Sequence, residues 1–272
     1  MNAPQTALET TPQTAFPLLR DVRAIVTGGA QGLGLAAARC LAVHGARVAL
    51  LDLDEEKARA AAAALPGDGH IGVRGDVTDA DERRAAVAAV RAVLGRIDAL
   101  VNNAGVQFHA AAEEIDEARW RRLFDVNVHG MMFMSQEVGR VMLEQGSGSI
   151  INIGSISSLL AMPRRGAYVA AKTAVLGITR ALAVDWAGRG VRVNAVCPGY
   201  HHTALLDEYI ARGDLDAEVI RKRIPMGRLG AIEDVGNAIV FFASPLSSYV
   251  TGQYLMVDGG YTTFGAPEEA SH

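Results

Sequence analysis

Residues Arg23 to Gly34 read R-A-I-V-T-G-G-A-Q-G-L-G. An apolar run with strand character, Arg23–Thr27, stops in a turn built on Gly28, Gly32 and Gly34, and an alanine-rich helical stretch follows near 33–44. Glycines at a strand-to-helix turn let the backbone approach a pyrophosphate, whose charge suits the N-terminus of the helix beyond. The spacing Gly28-x-x-x-Gly32-x-Gly34 departs from the common G-x-G-x-x-G. The turn therefore takes its meaning from its place directly after the first strand.

Outward from that turn, apolar strand-like runs alternate with helical stretches almost to the C-terminus. The strand candidates are Arg23–Thr27, Arg47–Asp52, His70–Asp76, Ala99–Asn102, Ser149–Ile153, Val191–Cys197 and Tyr254–Val257. Helical stretches lie near 33–44, 54–64, 79–94, 116–144, 168–187 and 233–243. This alternation predicts parallel βαβ units in an α/β fold, a doubly wound seven-stranded parallel sheet flanked by helices. No linker or repeat divides the chain, so one domain is expected over 21–264, between a loose arm at 1–20 and a tail at 265–272. The long irregular region at about 200–230 reads as a lid, an amphipathic pair of short helices closing over a substrate.

Bulk properties exclude several classes of function. Half the residues are hydrophobic and 21% charged, enough for a sizeable core. A net charge of −4 without a basic block argues against nucleic acid or an anionic membrane as partner. No apolar run approaches the ~20 residues of a membrane-spanning helix, and residues 1–20 lack the charge pattern of a signal peptide. Two cysteines, Cys40 and Cys197, fit a reduced, cytoplasmic setting as small buried side chains. No Cys/His cluster has metal-ligand spacing, so no metal is expected.

Tyr168 and Lys172 stand four residues apart at the head of a helical segment, on one face and one turn apart. A phenol loses its proton only near pH ~10, and a neighbouring ammonium lowers that value. The pair is thus an acid/base device. Ser155, thirteen residues earlier, is placed to hydrogen-bond the oxygen whose charge changes. Asp52 ends the second strand, eighteen residues after Gly34. A carboxylate there accepts hydrogen bonds from an adenosine ribose and repels a 2′-phosphate. Asp54 is the better N-cap for the helix that follows. No Arg or Lys lies within Gly28–Gly34 or directly after Asp52, which favours NAD over NADP.

T-G-x-x-x-G-x-G, N-N-A-G (Asn102–Gly105), V-N-V around Asn127, Ser155, Tyr168-x-x-x-Lys172 and Pro198-Gly199 occur in the order of the short-chain dehydrogenase/reductase family, which the chain resembles over roughly 20–262. The resemblance implies a Rossmann fold and a catalytic tetrad of Asn127, Ser155, Tyr168 and Lys172. It also implies an NAD site formed by Gly28, Gln31, Gly32, Leu33, Gly34, Asp52, Leu53, Asp76, Val77, Asn103, Ala104, Gly105, Tyr168, Lys172, Pro198, Gly199 and Thr203. In the family's pattern the residue at Asp76 meets the adenine, and Asn102, Ala104 and Gly105 form the turn beside the nicotinamide ribose. Lys172 would hold that ribose and lower the Tyr168 pKa, and Asn127 would bend its helix and keep a proton path to water. Pro198, Gly199 and Thr203 would cup the carboxamide. Ala171 replaces the serine common before the lysine, a departure that touches none of these roles. The C-terminal strand, with Tyr261 and Phe264 beyond it, implies packing in a homotetramer, or a homodimer.

Expected substrate contacts are Gln107, His109, Ser157, Arg164, Arg165 and His201, with His202 beside them. That set is more polar and cationic than a steroid or fatty-acyl pocket needs. It suits a small hydroxylated alcohol or ketone such as a polyol, a sugar, or a sugar acid whose carboxylate meets Arg164 or Arg165. A 3-oxoacyl carrier-protein reductase shares every catalytic motif, but such enzymes generally use NADPH and dock an acidic carrier. Asp52 and the uncharged end of the helix near 144–149 count against it. A non-catalytic dinucleotide-binding protein would predict a damaged tetrad, and all four residues are present.

Overall fold

The computed structural model describes residues 18–213 and 215–265, so most of the expected arm and tail lies outside the described residues. Seven strands form one sheet: β1 (Arg23–Thr27), β2 (Arg47–Asp52), β3 (Ile71–Arg74), β4 (Ala99–Asn102), β5 (Gly148–Ile153), β6 (Val191–Pro198) and β7 (Tyr254–Val257). Their order is β3-β2-β1-β4-β5-β6-β7, and every pair is parallel, as the alternation of elements predicts. The chain runs outward from β1 to β3 and then returns to pair β4 with β1, Ala24 opposite Ala99 and Val26 opposite Val101. At such a reversal the carboxyl ends of neighbouring strands diverge into a crevice.

Successive strand residues feed two cores. Val26, Leu50, Val101 and Ile151 pack with α1 (Gly32–Val43), α2 (Glu55–Ala63) and α9 (Ile232–Ala243). Ile25, Leu51, Leu100 and Ile150 pack with α3 (Ala80–Leu94), α5 (Met131–Gln145) and α6 (Gly166–Trp186). Large side chains such as Phe242, Leu41 and Met134 are almost wholly buried, each worth about 1.5–3 kcal/mol. Helices α1 and α9 approach so closely that a Cβ on Gly236 would lie 2.3 Å from Cys40 Sγ. Asp54 caps α2 by accepting from the Lys57 N–H at 3.0 Å, as expected.

Three expectations change. The single helix expected over 116–144 is broken into α4 (Glu117–Phe124), a π-helical segment Asp125–Gly130, and α5. The strand expected to reach Asp76 stops at Arg74. The Asp76 N–H is taken by Glu82 Oε2 (2.9 Å) and its carboxylate by the N–H and hydroxyl of Thr78. Finally, the stretch Gly166–Arg189 is long and apolar enough to cross a membrane by length and composition alone. Its buried face, including Ala171, Val175 and Leu182, packs into the domain.

Between β6 and β7, the stretch expected as a lid holds α7 (Ala204–Ala211) and α8 (Ala217–Lys222). Leu206, Ile220, Ile224 and Leu229 form a small core of their own there, joined by Tyr200, Ile210 and Tyr261.

Candidate active site

The glycine-rich turn lies at the carboxyl end of β1, beside the end of β4, and the two are pinned together. Asn103 Nδ2 donates to the carbonyls of Thr27 (2.9 Å) and Gly28 (3.1 Å), while Thr27 Oγ1 accepts from the N–H groups of Asn103 and Ala104, both at 3.0 Å. Gly28 and Gly32 take left-handed φ of 61° and 56°, which glycine adopts without steric cost. A Cβ on Gly34 would lie 2.1 Å from the Gly28 carbonyl oxygen, so only glycine fits. No side chain caps the N-terminus of α1 and no acid stands in its first turn. Those free N–H groups and the side-chain-free cradle fit a pyrophosphate.

The adenosine end follows from β2 and β3. Asp52 Oδ2 accepts the Ala30 N–H at 3.0 Å, which ties the carboxylate to the turn. Leu53 beyond it is exposed, and Val77 is buried. Burial works against the charge on Asp76, but hydrogen bonds from Thr78 and the cations Arg122 and Arg74 win, holding its carboxyl below the usual range. At this end of the site the sequence reading missed Lys57, whose Nζ donates to Gln31 Oε1 at 3.2 Å and brings a cation to the rim of the turn. It lies one helical turn into α2, not directly after Asp52. Asn102 departs from expectation. It ends β4 and turns inward, donating to Ser135 Oγ (2.7 Å) and Asn152 Oδ1 (2.9 Å), so the turn itself begins at Asn103.

Ser155 follows β5 and opens a 3₁₀ turn, Ile156–Ser158. Its Oγ accepts the Ser157 N–H (3.0 Å), and its N–H donates to Ser158 Oγ, which in turn donates to the Lys172 carbonyl at 2.8 Å. That chain of bonds locks Ser155 to α6. Burial pushes the Tyr168 phenol above its ordinary value, while a hydrogen bond with Ser155 and the charge of Arg165 pull it down. Lys172 is buried, its ammonium pushed down to about 8 by desolvation. Its Nζ donates to the Ile153 carbonyl at 2.7 Å and lies 5.7 Å from the centre of the Tyr168 ring. Asn127 sits in the π-helical segment, where its amide brackets the backbone of one residue: Oδ1 accepts the Val106 N–H (2.8 Å) and Nδ2 donates to the Val106 carbonyl (2.9 Å).

A cleft of about 180 Å³ opens over Ser155 and Tyr168. Of the expected substrate contacts, Gln107, Ser157, Arg165 and His201 line it. His109 stands behind the wall, stacked on Tyr209 with ring centres 5.3 Å apart. Arg164 is exposed and lies outside the cleft because its φ of 62° turns the chain there. His202 is also exposed and outside it. Pro198, Gly199 and Thr203 line the cleft, with the Thr203 hydroxyl also capping α7. His201 is held by the Gly199 carbonyl (3.2 Å), and burial lowers its imidazole pKa. Leu206 and Tyr209, apolar residues of the expected lid, line the cleft, and with Met162, Tyr200 and Leu215, which the sequence reading missed, they give it an apolar and aromatic wall. The i, i+3 spacing of Leu206 and Tyr209 on α7 is the amphipathic signal that marks the lid. Tyr261, expected near a neighbouring subunit, packs edge-on against Tyr200 at 5.4 Å within its own chain. Among the described residues, no three metal-ligating side chains converge.

A family model described as enoyl-(acyl carrier protein) reductase matches residues 28–262. The chain is 40% identical to 2-(S)-hydroxypropyl-CoM dehydrogenase 3 of Xanthobacter autotrophicus, over 87% of this chain and 95% of that protein. It is 42% identical to D-threitol dehydrogenase of Mycolicibacterium smegmatis, over 88% and 92% respectively. Among solved structures, a gluconate 5-dehydrogenase from Burkholderia cenocepacia in complex with NADP and tartrate superposes with a TM-score of 0.86 at 37% identity, covering 92% of this chain and 98% of that one.

Proposed function

The chain belongs to the short-chain dehydrogenase/reductase family, an oxidoreductase acting on CH–OH groups, and from that premise we propose that it is an NAD-dependent enzyme interconverting a secondary alcohol and a ketone on a polyol, sugar or sugar acid. The observation that carries this reading is the convergence of Ser155, Tyr168 and Arg165 on one cleft at the carboxyl edge of the sheet. D-threitol and gluconate, which name two of the similar dehydrogenases, belong to the same substrate classes.

Gly28, Gln31, Gly32, Leu33 and Gly34 would hold the pyrophosphate, Asp52 and Leu53 the adenosine ribose, and Asp76 and Val77 the adenine. The Asn103–Gly105 turn and Lys172 would face the nicotinamide ribose, with Pro198, Gly199 and Thr203 at the carboxamide. When bound, the nicotinamide supplies hydride exchange with the carbinol carbon. The chain's own part is the proton. Tyr168 Oη takes it from the substrate hydroxyl in oxidation and returns it in reduction, while Ser155 Oγ hydrogen-bonds the reacting oxygen. Because burial keeps Tyr168 protonated in the empty enzyme, reduction runs at neutral pH and oxidation rises toward alkaline pH. Asn127 holds the Val106 backbone, and so the wall that carries Gln107.

Asp52 supports NAD, while Lys57 at the turn and Arg74, which donates to the Leu53 carbonyl at 2.9 Å, are cations on the rim that a 2′-phosphate could use. A second substrate reading has its own observation. Met162, Leu206 and Leu215 beside Arg165 suit a hydroxy acid with an apolar body. An oligomer is consistent with the exposed edge strand β7, where Tyr254 and Leu255 face outward, and a cytoplasmic setting with two free thiols.

The test is a 340 nm screen with NAD and NADP in parallel across polyols, aldoses, sugar acids, apolar hydroxy acids and hydroxyacyl esters. NAD-dependent turnover of a polyol or sugar acid is expected, with Tyr168→Phe lowering it at least about a hundredfold. Preference for NADP with acyl substrates overturns the reading.

A further inference from the structure

The loop between β3 and α3 is gripped by two neighbouring residues of opposite charge, Glu82 and Arg83. Asp79 caps α3 and accepts the Glu82 N–H at 2.9 Å. A glutamate in that position commonly reaches back to the N–H of the cap itself. Here it reaches further, and Glu82 Oε2 accepts the Asp76 N–H at 2.9 Å. The other oxygen, Oε1, accepts from Arg74 Nη2 at 3.1 Å, and Arg74 Nη1 donates to the Leu53 carbonyl at 2.9 Å. The carboxylate is thereby braced against the end of β2.

Arg83 turns the other way and is only 6% exposed. Its Nη1 donates to the Val77 carbonyl at 2.7 Å, and its guanidinium lies over the Phe133 ring of α5, 5.3 Å from the ring centre. Its Nε has no hydrogen-bond partner among the described residues. A buried guanidinium so partnered is costly, and an apolar side chain would serve packing alone better. What the charge secures is the Val77 carbonyl.

Glu82 and Arg83 thus hold the two ends of the dipeptide Asp76-Val77, and the groups between them stay open. Both bonds from Thr78 go to Asp76 Oδ1, and no donor among the described residues takes Oδ2. The Asp76 carbonyl accepts the Asp79 N–H at 3.1 Å, while the Val77 N–H has no acceptor among the described residues. An open acceptor and an open donor in one dipeptide match the amino group and the neighbouring ring nitrogen on one edge of adenine.

We infer that Glu82 and Arg83 are positioning residues that set Asp76 Oδ2 and the Val77 N–H in register for the adenine edge, and so fix which base the cofactor site accepts. The inference rests on the reading of Asp76 and Val77 as the adenine contacts, and it deepens that reading. Neither Glu82 nor Arg83 touches the base. Hypoxanthine carries a carbonyl where adenine has its amino group, and a hydrogen on the ring nitrogen beside it. It therefore sets acceptor against acceptor and donor against donor. Discrimination between the two bases reports the register of this dipeptide and nothing at the nicotinamide end.

The deciding experiment measures equilibrium binding of NADH and of reduced nicotinamide hypoxanthine dinucleotide, followed by nicotinamide fluorescence. It compares wild type, Arg83→Met, Glu82→Ala and Arg84→Met. Arg84 is exposed and pairs with Asp81 on the same turn of α3, so Arg84→Met removes the same charge without touching the loop. Wild type should bind NADH about tenfold tighter than the analogue. Arg83→Met and Glu82→Ala should each cut that preference to less than about threefold, chiefly by weakening NADH, with Arg84→Met close to wild type. The Glu82 side chain is 34% exposed, so Glu82→Ala keeps the test decisive if Arg83→Met does not fold.

A role in folding alone would weaken both dinucleotides equally, and an unchanged preference in Arg83→Met and Glu82→Ala overturns the inference. So does an equal loss in Arg84→Met, because net charge and not the grip on the loop would then be responsible. A wild type that binds NADH without preferring it also overturns the inference and leaves the dinucleotide site standing. A wild type that binds neither dinucleotide overturns the cofactor reading itself, and the inference with it.

Discussion

Lys172 illustrates how a single residue sets a conflict between stability and chemistry. Burial pushes its ammonium down from 10.5 to about 8. Below about pH 8 the native chain carries a desolvated charge and loses stability by it; the unfolded chain, with an ordinary lysine near pH ~10.4, does not. Between those values the native state gives up its proton first. The unfolded state then binds more protons, and this residue's contribution to stability rises with pH. Lys172→Met removes that slope. The difference in Tm, variant minus wild type, is expected to fall steadily from about pH 8 to about pH 10. Thermal unfolding midpoints across that range check it, and a constant difference would show that the buried ammonium is not the source.

Among the elements, the break between α4 and α5 connects sequence to site. A regular helix from Glu117 to Gln145 would have no reason to open at Asn127. The π-helical turn at Asp125–Gly130 widens the helix there, and the Asn127 amide brackets the Val106 backbone with two hydrogen bonds. The next turn is crowded as well, since a Cβ on Gly130 would lie 2.8 Å from Val77 Cγ2. Asn127→Ala leaves the Val106 N–H and carbonyl without partners, at a cost of about 1–3 kcal/mol. Chemical denaturation should show that loss, and amide exchange at Val106 should quicken. An unchanged exchange rate would mean the bracket is not what holds this loop.

The two-layered covering of the sheet works at the scale of the whole molecule. Helices α1 and α9 share one face, and their approach is set by Gly236 against Cys40. Gly236→Ala drives a methyl into the sulfur and should cost about 1–3 kcal/mol, while Cys40→Ala in the same chain returns part of it. Gly236 adjoins Val235, which lines the cleft, but its own Cβ position faces Cys40, and neither Gly236 nor Cys40 lines the cleft. Turnover per folded molecule should therefore hold in both variants even as Tm falls, and a loss of turnover without a loss of Tm would contradict this account.

Sequence alone determined the features written in local chemistry or in periodicity. The alternation of apolar strands with helices implied the parallel sheet, and the glycines of the first turn marked the end of β1. The four-residue step from Tyr168 to Lys172 put both on one face of α6, and Asp54 declared itself a cap. Tertiary structure decided what hangs on one dihedral angle or on a contact between distant segments. The φ of Arg164 sends one arginine outward and leaves Arg165 in the cleft. The packing of α7 brings Leu206 and Tyr209 over the site, and α2 swings Lys57 onto Gln31. Asn102 and Asn103, alike in sequence, part company because Asn102 still belongs to β4 while Asn103 opens the turn beyond it. Asn102 enters the polar network with Ser135 and Asn152, while Asn103 reaches back to the turn after β1. Residue types and spacings fix which groups share a strand or a helix face. Which of them meet across the fold depends on dihedrals and packing that no local pattern encodes.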